Sequence, residues 1–157
     1  MGRINPCLWF ADQAEEAAIF YTSVFPNSRI TDVQRFADDG PGPSGSVMVV
    51  SFELDGEQFM ALNGGGHTSF TEAISLYVNC ETQAEVDALW AALTEGGVES
   101  QCGWLRDRYG VSWQIVPRAL TDMLGDPDPV KAGAVMQAML KMSKIDTQVL
   151  RDAYDSS

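Results

Sequence analysis

Apolar and polar positions along the chain form one unit that occurs twice. An apolar stretch with Leu8-Trp9-Phe10 leads into the helix-forming residues Asp12-Gln13-Ala14-Glu15, and the same order returns in Leu76-Tyr77-Val78 and Thr82-Gln83-Ala84-Glu85. After each helix, apolar and polar residues alternate as is typical of β-strands. The repeat predicts two modules, each formed by a strand, a helix and further strands.

The first module is predicted to contain four strands, at residues 4–10, 28–36, 47–54 and 58–63. Its helix follows Asp12, whose side chain suits an N-cap, and ends at Pro26-Asn27. Asp55-Gly56 is a typical hairpin turn between the third and fourth strands. The glycine run at residues 64–66 is expected to act as a hinge between the modules.

The second module is predicted to contain three strands, at residues 73–79, 98–105 and 111–116. Its helix spans residues 82–95, with Thr82 as the N-cap and Glu85 three residues later. Asp107 and Arg108 are assigned to the turn that joins the last two strands.

A helical tail is predicted beyond Pro117. Its helices are expected at residues 119–124, 128–142 and 146–154. An apolar stripe within the tail could pack on its own sheet or on a second subunit; it consists of Val135, Met136, Met139, Leu140 and Met142.

The length and composition fit one domain, and the pattern of strands and helices predicts that it is α+β. The chain has 157 residues, of which 45% are hydrophobic, so it can bury one core without needing a second. We therefore expect a single domain over residues 1–157, divided into module one at 1–66, module two at 67–117 and the tail at 118–157.

Charge and cysteine usage exclude several classes of partner. The net charge is −12, and ten lysines and arginines do not make a phosphate-binding face, so neither nucleic acid nor an anionic membrane is expected as a partner. No apolar stretch could span a bilayer or serve as a signal peptide, which predicts a cytoplasmic protein. The three widely spaced cysteines predict reduced thiols and no zinc cluster.

The repeat and four short segments together resemble a known superfamily. The segments are Pro6-Cys7-Leu8-Trp9-Phe10, Ala61-Leu62-Asn63-Gly64-Gly65, Gln101-Cys102-Gly103-Trp104 and Gly125-Asp126-Pro127-Asp128-Pro129. The chain resembles the vicinal-oxygen-chelate proteins, which include glyoxalase and bleomycin-resistance proteins. Within them it is similar to the PhnB-like branch, labelled "3-demethylubiquinone-9 3-methyltransferase-like". The resemblance implies two βαβββ modules whose mixed sheet forms a cup with the helices outside, often in a homodimer.

The same resemblance implies a divalent metal at the cup floor, held by four side chains. Those positions correspond to Pro6, Ala61, Ala73 and Gln114, and only the last can offer a ligand. A one-residue slip would select Asn5 or Cys7 and Met60 or Leu62, which adds no carboxylate or imidazole. We therefore expect no metal and no cofactor. The glycine run also lacks the following helix that a methyl-donor site would need, which argues against the methyltransferase label.

Two residues are candidates for chemistry. His67, the only histidine, lies in the segment between the modules and could act as a base oriented by Glu72. Cys102 could act as a nucleophile if Arg106 or His67 lowered its pKa. The alternatives are a histidine that only bonds the backbone and a cysteine that only packs in the sheet.

Strand alternation, with the four positions Pro6, Ala61, Ala73 and Gln114 taken to face the cup, gives a set of expected ligand-binding residues. They are Leu8, Phe10, Phe59, Asn63, Ser75, Tyr77, Trp104, Ser112 and Gln114. Aromatic rings, amides and hydroxyls suit a small, partly apolar ligand, although the same side chains could simply fill the cup as core.

Three functions remain open at this point. The first is a metal-free protein that binds a small organic ligand in the cup. The second is a metal-dependent lyase, isomerase or dioxygenase of the superfamily, or an enzyme that uses His67 with Cys102. The third is a dimeric scaffold that has lost its ligand.

Overall fold

The computed structural model describes residues 2–157 and has an α+β fold, as predicted. The chain divides into two compact units, the first ending at Phe70 and the second spanning Thr71–Ser157. Each unit contains one βαβββ module, and the second also carries the C-terminal helices. Met1, where the predicted module 1–66 begins, lies outside the described residues.

The first unit is a four-stranded mixed sheet with one helix. Its elements are β1 (Cys7–Phe10), α1 (Ala14–Val24), β2 (Arg29–Arg35), β3 (Val47–Leu54) and β4 (Glu57–Asn63). The strand order is β1-β4-β3-β2, with β1 parallel to β4 and the other pairs antiparallel. The turn between β3 and β4 has positive φ at both Asp55 and Gly56, as a two-residue hairpin requires.

One face of this sheet packs against α1. Val50, Phe52 and Leu54 alternate along β3 and are buried, while their neighbours in sequence are only half-buried. The ring of Phe52 stacks on Tyr21 of α1, with centroids 6.3 Å apart. The face that carries Phe52 is therefore the helix-facing side of the sheet.

The N-terminus of α1 is not capped as predicted. The N-cap residue is Gln13, not Asp12, and it makes no side-chain cap. Instead Asn63, at the end of β4, accepts a hydrogen bond from the Ala14 amide at 2.8 Å and donates one to the Val47 carbonyl. A residue distant in sequence thus satisfies a helix-end donor, which local pattern cannot reveal.

The second unit repeats the module and adds three helices. Its elements are β5 (Leu76–Cys80), α2 (Gln83–Thr94), β6 (Val98–Glu99), β7 (Trp104–Arg106), β8 (Ser112–Pro117), α3 (Arg118–Leu124), α4 (Pro129–Met139) and α5 (Thr147–Asp155). The strand order is β5-β8-β7-β6, with β5 parallel to β8 and the other pairs antiparallel. The Thr82 hydroxyl caps α2 by accepting from the Glu85 amide, as predicted.

The predicted strand at residues 98–105 is broken into β6 and β7. Cys102 and Gly103 have φ of 60° and 84°, which takes the backbone out of the extended region. Their amides donate to the carbonyls of Met142 and Ser143, each at 2.8 Å. The C-terminal segment supplies these acceptors, so tertiary contacts override the strand pattern.

Asp107 organises the turn between β7 and β8, as expected for that turn. Its buried carboxylate accepts from the amides of Tyr109 and Val111 and from the indole of Trp113, at 2.8, 3.1 and 2.8 Å. A buried carboxylate needs such donors to offset its lost hydration. The turn is therefore tied both to its own backbone and to the side of the sheet that faces α2.

The C-terminal helices pack on their own unit. Val135 of the predicted stripe is fully buried, and Met139 and Met142 pack against the same cluster, while Met136 and Leu140 are exposed. The buried members of the cluster are Val116, Leu120, Met123, Val135, Ile145 and Leu150. Within residues 2–157, no helix has the length and apolar character to cross a membrane.

Candidate functional site

The orientation predicted for the first-module residues is reversed. Leu8 lies beside Ala61, Phe10 beside Asn63 and Phe59 beside Phe52, so all of them share the helix-facing side with Phe52. The prediction placed Leu8, Phe10, Phe59 and Asn63 on the opposite face because it took Pro6 and Ala61 as cup positions. A one-residue shift in a strand moves every side chain to the other face.

The opposite face of the first sheet carries Trp9, which is 36% exposed. Its indole donates to the Gly65 carbonyl at 2.9 Å and meets His67 edge-to-face, with ring centroids 5.1 Å apart. A Cβ on Gly64 would lie 2.3 Å from the indole ring, so the close approach requires glycine. The structure therefore places His67 against Trp9, and its predicted role as a base stays a prediction.

In the second module the predicted residues do share one face. Gln114 lies between Tyr77 on β5 and Trp104 on β7, and its amide donates to the Ser75 hydroxyl at 2.9 Å. Trp113 and Ile115 point to the other side and are buried, as predicted from alternation. Tyr77 is 48% exposed. This side of the second-module sheet is called the open face below.

A second row of neighbouring residues lies across the open face, beside the row formed by Tyr77, Gln114 and Trp104. Val98 pairs with Arg106, and Arg106 pairs with Ser112, across the antiparallel strands β6, β7 and β8. Directly opposite residues of antiparallel strands have Cβ atoms about 4.5–5.5 Å apart and point the same way. Arg106 and Ser112 are therefore close neighbours.

These residues line a cavity of about 90 Å³ that lies wholly within the second unit. Its walls include Glu72, Val98, Glu99, Trp104, Arg106 and Ser112. The lining combines an apolar part with opposite charges. Glu99 is already engaged, because its Oε1 accepts from the Trp90 indole at 2.6 Å. No ion pair within residues 2–157 involves Glu72 or Arg106.

Ser112 has an unusual environment. It is 2% exposed, and its hydroxyl is the buried side-chain oxygen or nitrogen without a hydrogen-bond partner among residues 2–157. Burying a hydroxyl without a partner costs about 1–3 kcal/mol, so native proteins rarely leave one unsatisfied. Ser112 is one of the residues that line the cavity, so a group bound there is the nearest candidate for the missing partner.

Cys102 lies in the loop between β6 and β7, and its backbone is held by Met142. It is half-buried, and its role as a nucleophile stays a prediction. Cys80 is buried on the side of β5 that faces α2. Burial and the nearby Glu85 carboxylate raise the pKa of the Cys80 thiol to about 12, so it remains protonated.

The family's metal positions do not fit a divalent ion in this chain. Ala61 is fully buried on the helix-facing side, and the Pro6 carbonyl accepts from the Met60 amide. Ala73 has no ligating side-chain atom, and Gln114 offers a single neutral amide oxygen, since its amide nitrogen donates to Ser75. In the described part of the chain, no three His, Cys, Asp or Glu side chains are grouped so that they could hold a metal. Zn²⁺ sites require three or four such donors.

Sequence reasoning missed Arg106 and Glu72 as members of this cavity. The predicted strand ended at Leu105, which left Arg106 outside it although Arg106 shares the alternation of Trp104. The hairpin register would have identified it. Glu72 precedes β5 in an irregular segment, and no sequence pattern indicates where its side chain lies.

Comparisons with known proteins place the chain in a family. The sequence pattern described as 3-demethylubiquinone-9 3-methyltransferase matches residues 2–116. The solved structure of the PhnB protein from Bacillus cereus is 38% identical with a TM-score of 0.69, and covers 74% of this chain and 99% of that one. A Pseudomonas aeruginosa protein is 22% identical with a TM-score of 0.63, and covers 74% and 98%. No curated protein matches the chain.

The family match ends before α3, so the C-terminal helices lie beyond it. The Pseudomonas structure supports the fold alone, whereas the Bacillus protein is similar in sequence over nearly its whole length. The two βαβββ modules agree with both. The chain belongs to the PhnB-like, 3-demethylubiquinone-9 3-methyltransferase family of the vicinal-oxygen-chelate superfamily that its sequence resembles.

Proposed function

We propose that this protein binds a small organic molecule in the cavity on the second module, without a divalent metal held by its own side chains. The observation that carries the proposal is the Ser112 hydroxyl, which is buried, belongs to a residue that lines the cavity and has no partner within residues 2–157. A buried polar group without a partner needs an explanation in a native protein, and a ligand that supplies the missing hydrogen bond is one.

The rest of the cavity supports this role. Arg106, directly opposite Ser112, supplies a fork of hydrogen-bond donors, and Val98 and Trp104 supply apolar contact. A few directed polar groups beside apolar walls are the usual design of a small-molecule site. The small volume fits a compact ligand or the head group of a larger one.

Methyl transfer, which the family description names, finds no support in the backbone. Nucleotide-like cofactors are usually bound where a strand passes through a glycine-rich turn into a helix, on a doubly wound sheet. Here residues 64–75, which follow β4 through the glycine run, contain no helix, and both sheets are mixed. We therefore propose binding, and assign no methyltransferase activity.

The alternative is a metal-dependent lyase, isomerase or dioxygenase. Elemental analysis of the purified protein distinguishes it from the proposal. We expect less than about 0.1 equivalent of zinc, nickel, iron or manganese after dialysis, because the corresponding positions offer one amide. One equivalent of a tightly held transition metal would contradict the metal-free proposal.

A thermal-shift screen tests the binding proposal itself. A ligand that binds only the folded state raises the melting temperature according to its concentration relative to Kd. We expect at least one compound to stabilise both the wild-type protein and Ser23→Ala, a control at an exposed serine of α1, but not Ser112→Ala. Stabilisation of all three proteins by every active compound would place binding elsewhere and contradict the proposal.

A further inference from the structure

We infer that the ligand of this cavity is a small zwitterion, a molecule with both a carboxylate and an ammonium group. The inference rests on the proposed binding function and adds the chemical class of the ligand. It is based on three groups that line the same cavity: the guanidinium of Arg106, the hydroxyl of Ser112 and the carboxylate of Glu72.

Arg106 and Ser112 form the part that receives the carboxylate. They lie directly opposite each other on β7 and β8 and leave the sheet on the same side. A guanidinium can donate two parallel hydrogen bonds to a carboxylate, and the Ser112 hydroxyl can donate a third. Within residues 2–157 the guanidinium makes no ion pair and the hydroxyl no hydrogen bond, so both are available.

Glu72 forms the part that receives the ammonium. Its exposed side chain makes no ion pair within residues 2–157, although it lines the same cavity as Arg106. Trp104 also lines the cavity, and an aromatic ring is a group that can bind a cation. Opposite charges that share a cavity without pairing with each other suit a ligand that carries both signs.

Size and net charge favour a zwitterion over a simple ion. The cavity of about 90 Å³ accommodates only a compact group. The chain carries a net charge of −12, which repels a free anion, while the cavity itself offers one carboxylate, Glu72, and one guanidinium, Arg106. A molecule without net charge avoids the long-range repulsion and still satisfies each local charge.

Calorimetric or NMR titration with three matched probes tests the inference. The probes are L-alanine, propionate, which lacks the ammonium, and ethylammonium, which lacks the carboxylate, all at pH 7 and one ionic strength. We expect L-alanine to bind at least about tenfold more tightly than either of the others, because only it makes both charge-assisted contacts. Amide shifts should map to β7 and β8.

Substitutions of Arg106 and Glu72 test the two charged contacts one at a time. Arg106→Gln should weaken L-alanine binding by about tenfold or more, and Glu72→Gln should weaken it while leaving propionate binding equal or stronger. Arg151→Gln and Glu57→Gln are the controls, at exposed residues outside the cavity, and should leave the affinity unchanged.

Two results overturn the inference. One is that propionate or ethylammonium binds as tightly as L-alanine; if that binding is lost in Ser112→Ala, the cavity is a ligand site and only the zwitterion class is wrong. The other is that L-alanine does not bind at millimolar concentration. The proposed function is then tested separately, by whether the thermal-shift screen finds any compound that stabilises the wild-type protein but not Ser112→Ala.

Discussion

The Tyr154 hydroxyl of α5 donates a hydrogen bond to the Asp126 carboxylate at 2.5 Å, and so ties the end of the chain to the segment before α4. Lys131 of α4 completes the contact, since its ammonium donates to the Tyr154 carbonyl and lies 4.5 Å from the centre of the Tyr154 ring. The bond lowers the pKa of Asp126 and raises the pKa of Tyr154. These helices lie beyond the family match, so this contact is a feature of the C-terminal extension.

The shifted pKa values predict how this contact depends on pH. The lowered pKa of Asp126 gives stability that is present above its unfolded-state pKa and lost as the pH falls through the folded value. The raised pKa of Tyr154 gives stability that is present below its unfolded-state pKa and lost as the pH rises through the folded value. Tyr154→Phe should therefore unfold at lower urea concentration near pH 7. That difference should shrink below about pH 4 and above about pH 10.

Urea titrations of both proteins from pH 3 to pH 10.5 provide the measurement. Arg151→Ala, on the same helix and outside the contact, is the control and should follow the wild-type curve at every pH. A constant difference between Tyr154→Phe and the wild-type protein over the whole range would contradict the prediction.

Ser112→Ala is expected to leave the ligand-free protein as stable as the wild type, or more stable by up to about 1.5 kcal/mol, because it removes an unsatisfied buried hydroxyl. Ser75→Ala is the matched control, since the Ser75 hydroxyl accepts a hydrogen bond from Gln114. That change should cost about 0.5–1.5 kcal/mol. Urea unfolding measures both. Destabilisation by Ser112→Ala as large as that by Ser75→Ala would mean that the Ser112 hydroxyl has a partner in solution.

Removing the Asp107 carboxylate should be strongly destabilising. Asp107→Ala leaves two backbone amides and the Trp113 indole without an acceptor, which predicts a loss of about 3 kcal/mol or more. Asp122→Ala, an exposed aspartate of α3, should change stability by less than about 0.5 kcal/mol. Equal effects of the two substitutions on the urea midpoint would contradict the assigned role of Asp107.

Two glycines should respond to alanine in opposite directions. At Gly103, φ is +84° and a Cβ would lie 3.0 Å from the Ile115 carbonyl oxygen, so Gly103→Ala should cost about 2 kcal/mol. At Gly133, inside α4, a Cβ would meet nothing within 4 Å, so Gly133→Ala should stabilise by about 0.5–1 kcal/mol. The measurement is the free energy of unfolding of each variant. A change of the same sign in both variants would be inconsistent with the structure.

The three cysteines should differ in reactivity. Desolvation raises the pKa of both thiols, to about 12 for Cys80, but Cys80 is buried whereas Cys7 is exposed. The proteins are treated with a thiol reagent at pH 8 under native conditions, and the number of thiols that react is counted. Cys80→Ala should have as many reactive thiols as the wild type, and Cys7→Ala should have about one fewer. Rapid labelling of Cys80 in the native protein would contradict its placement.

The sequence predicted the elements better than the directions in which their side chains point. The internal repeat, the Asp55-Gly56 turn and the Thr82 cap depend on local patterns, and all three agree with the structure. Alternation anchored at Gln114 gave the correct face in the second module. The same reasoning anchored at Ala61 failed in the first, because a shift of one residue reverses a strand.

The remaining features depend on contacts between distant residues. The break at Cys102 and Gly103 is stabilised by carbonyls from the C-terminal segment, and the Ala14 amide is capped by Asn63. No local pattern encodes such pairings. The lack of a partner for Ser112 is likewise a property of its surroundings and not of its residue type.

A crystal structure of the protein with the strongest Ser112-dependent compound from the thermal-shift screen tests the central proposal most directly. We expect the compound in the second-module cavity, with one of its polar atoms within hydrogen-bond distance of Ser112 Oγ and a second group against Arg106. A compound bound outside the cavity, or bound through a transition metal held by the protein, would contradict it.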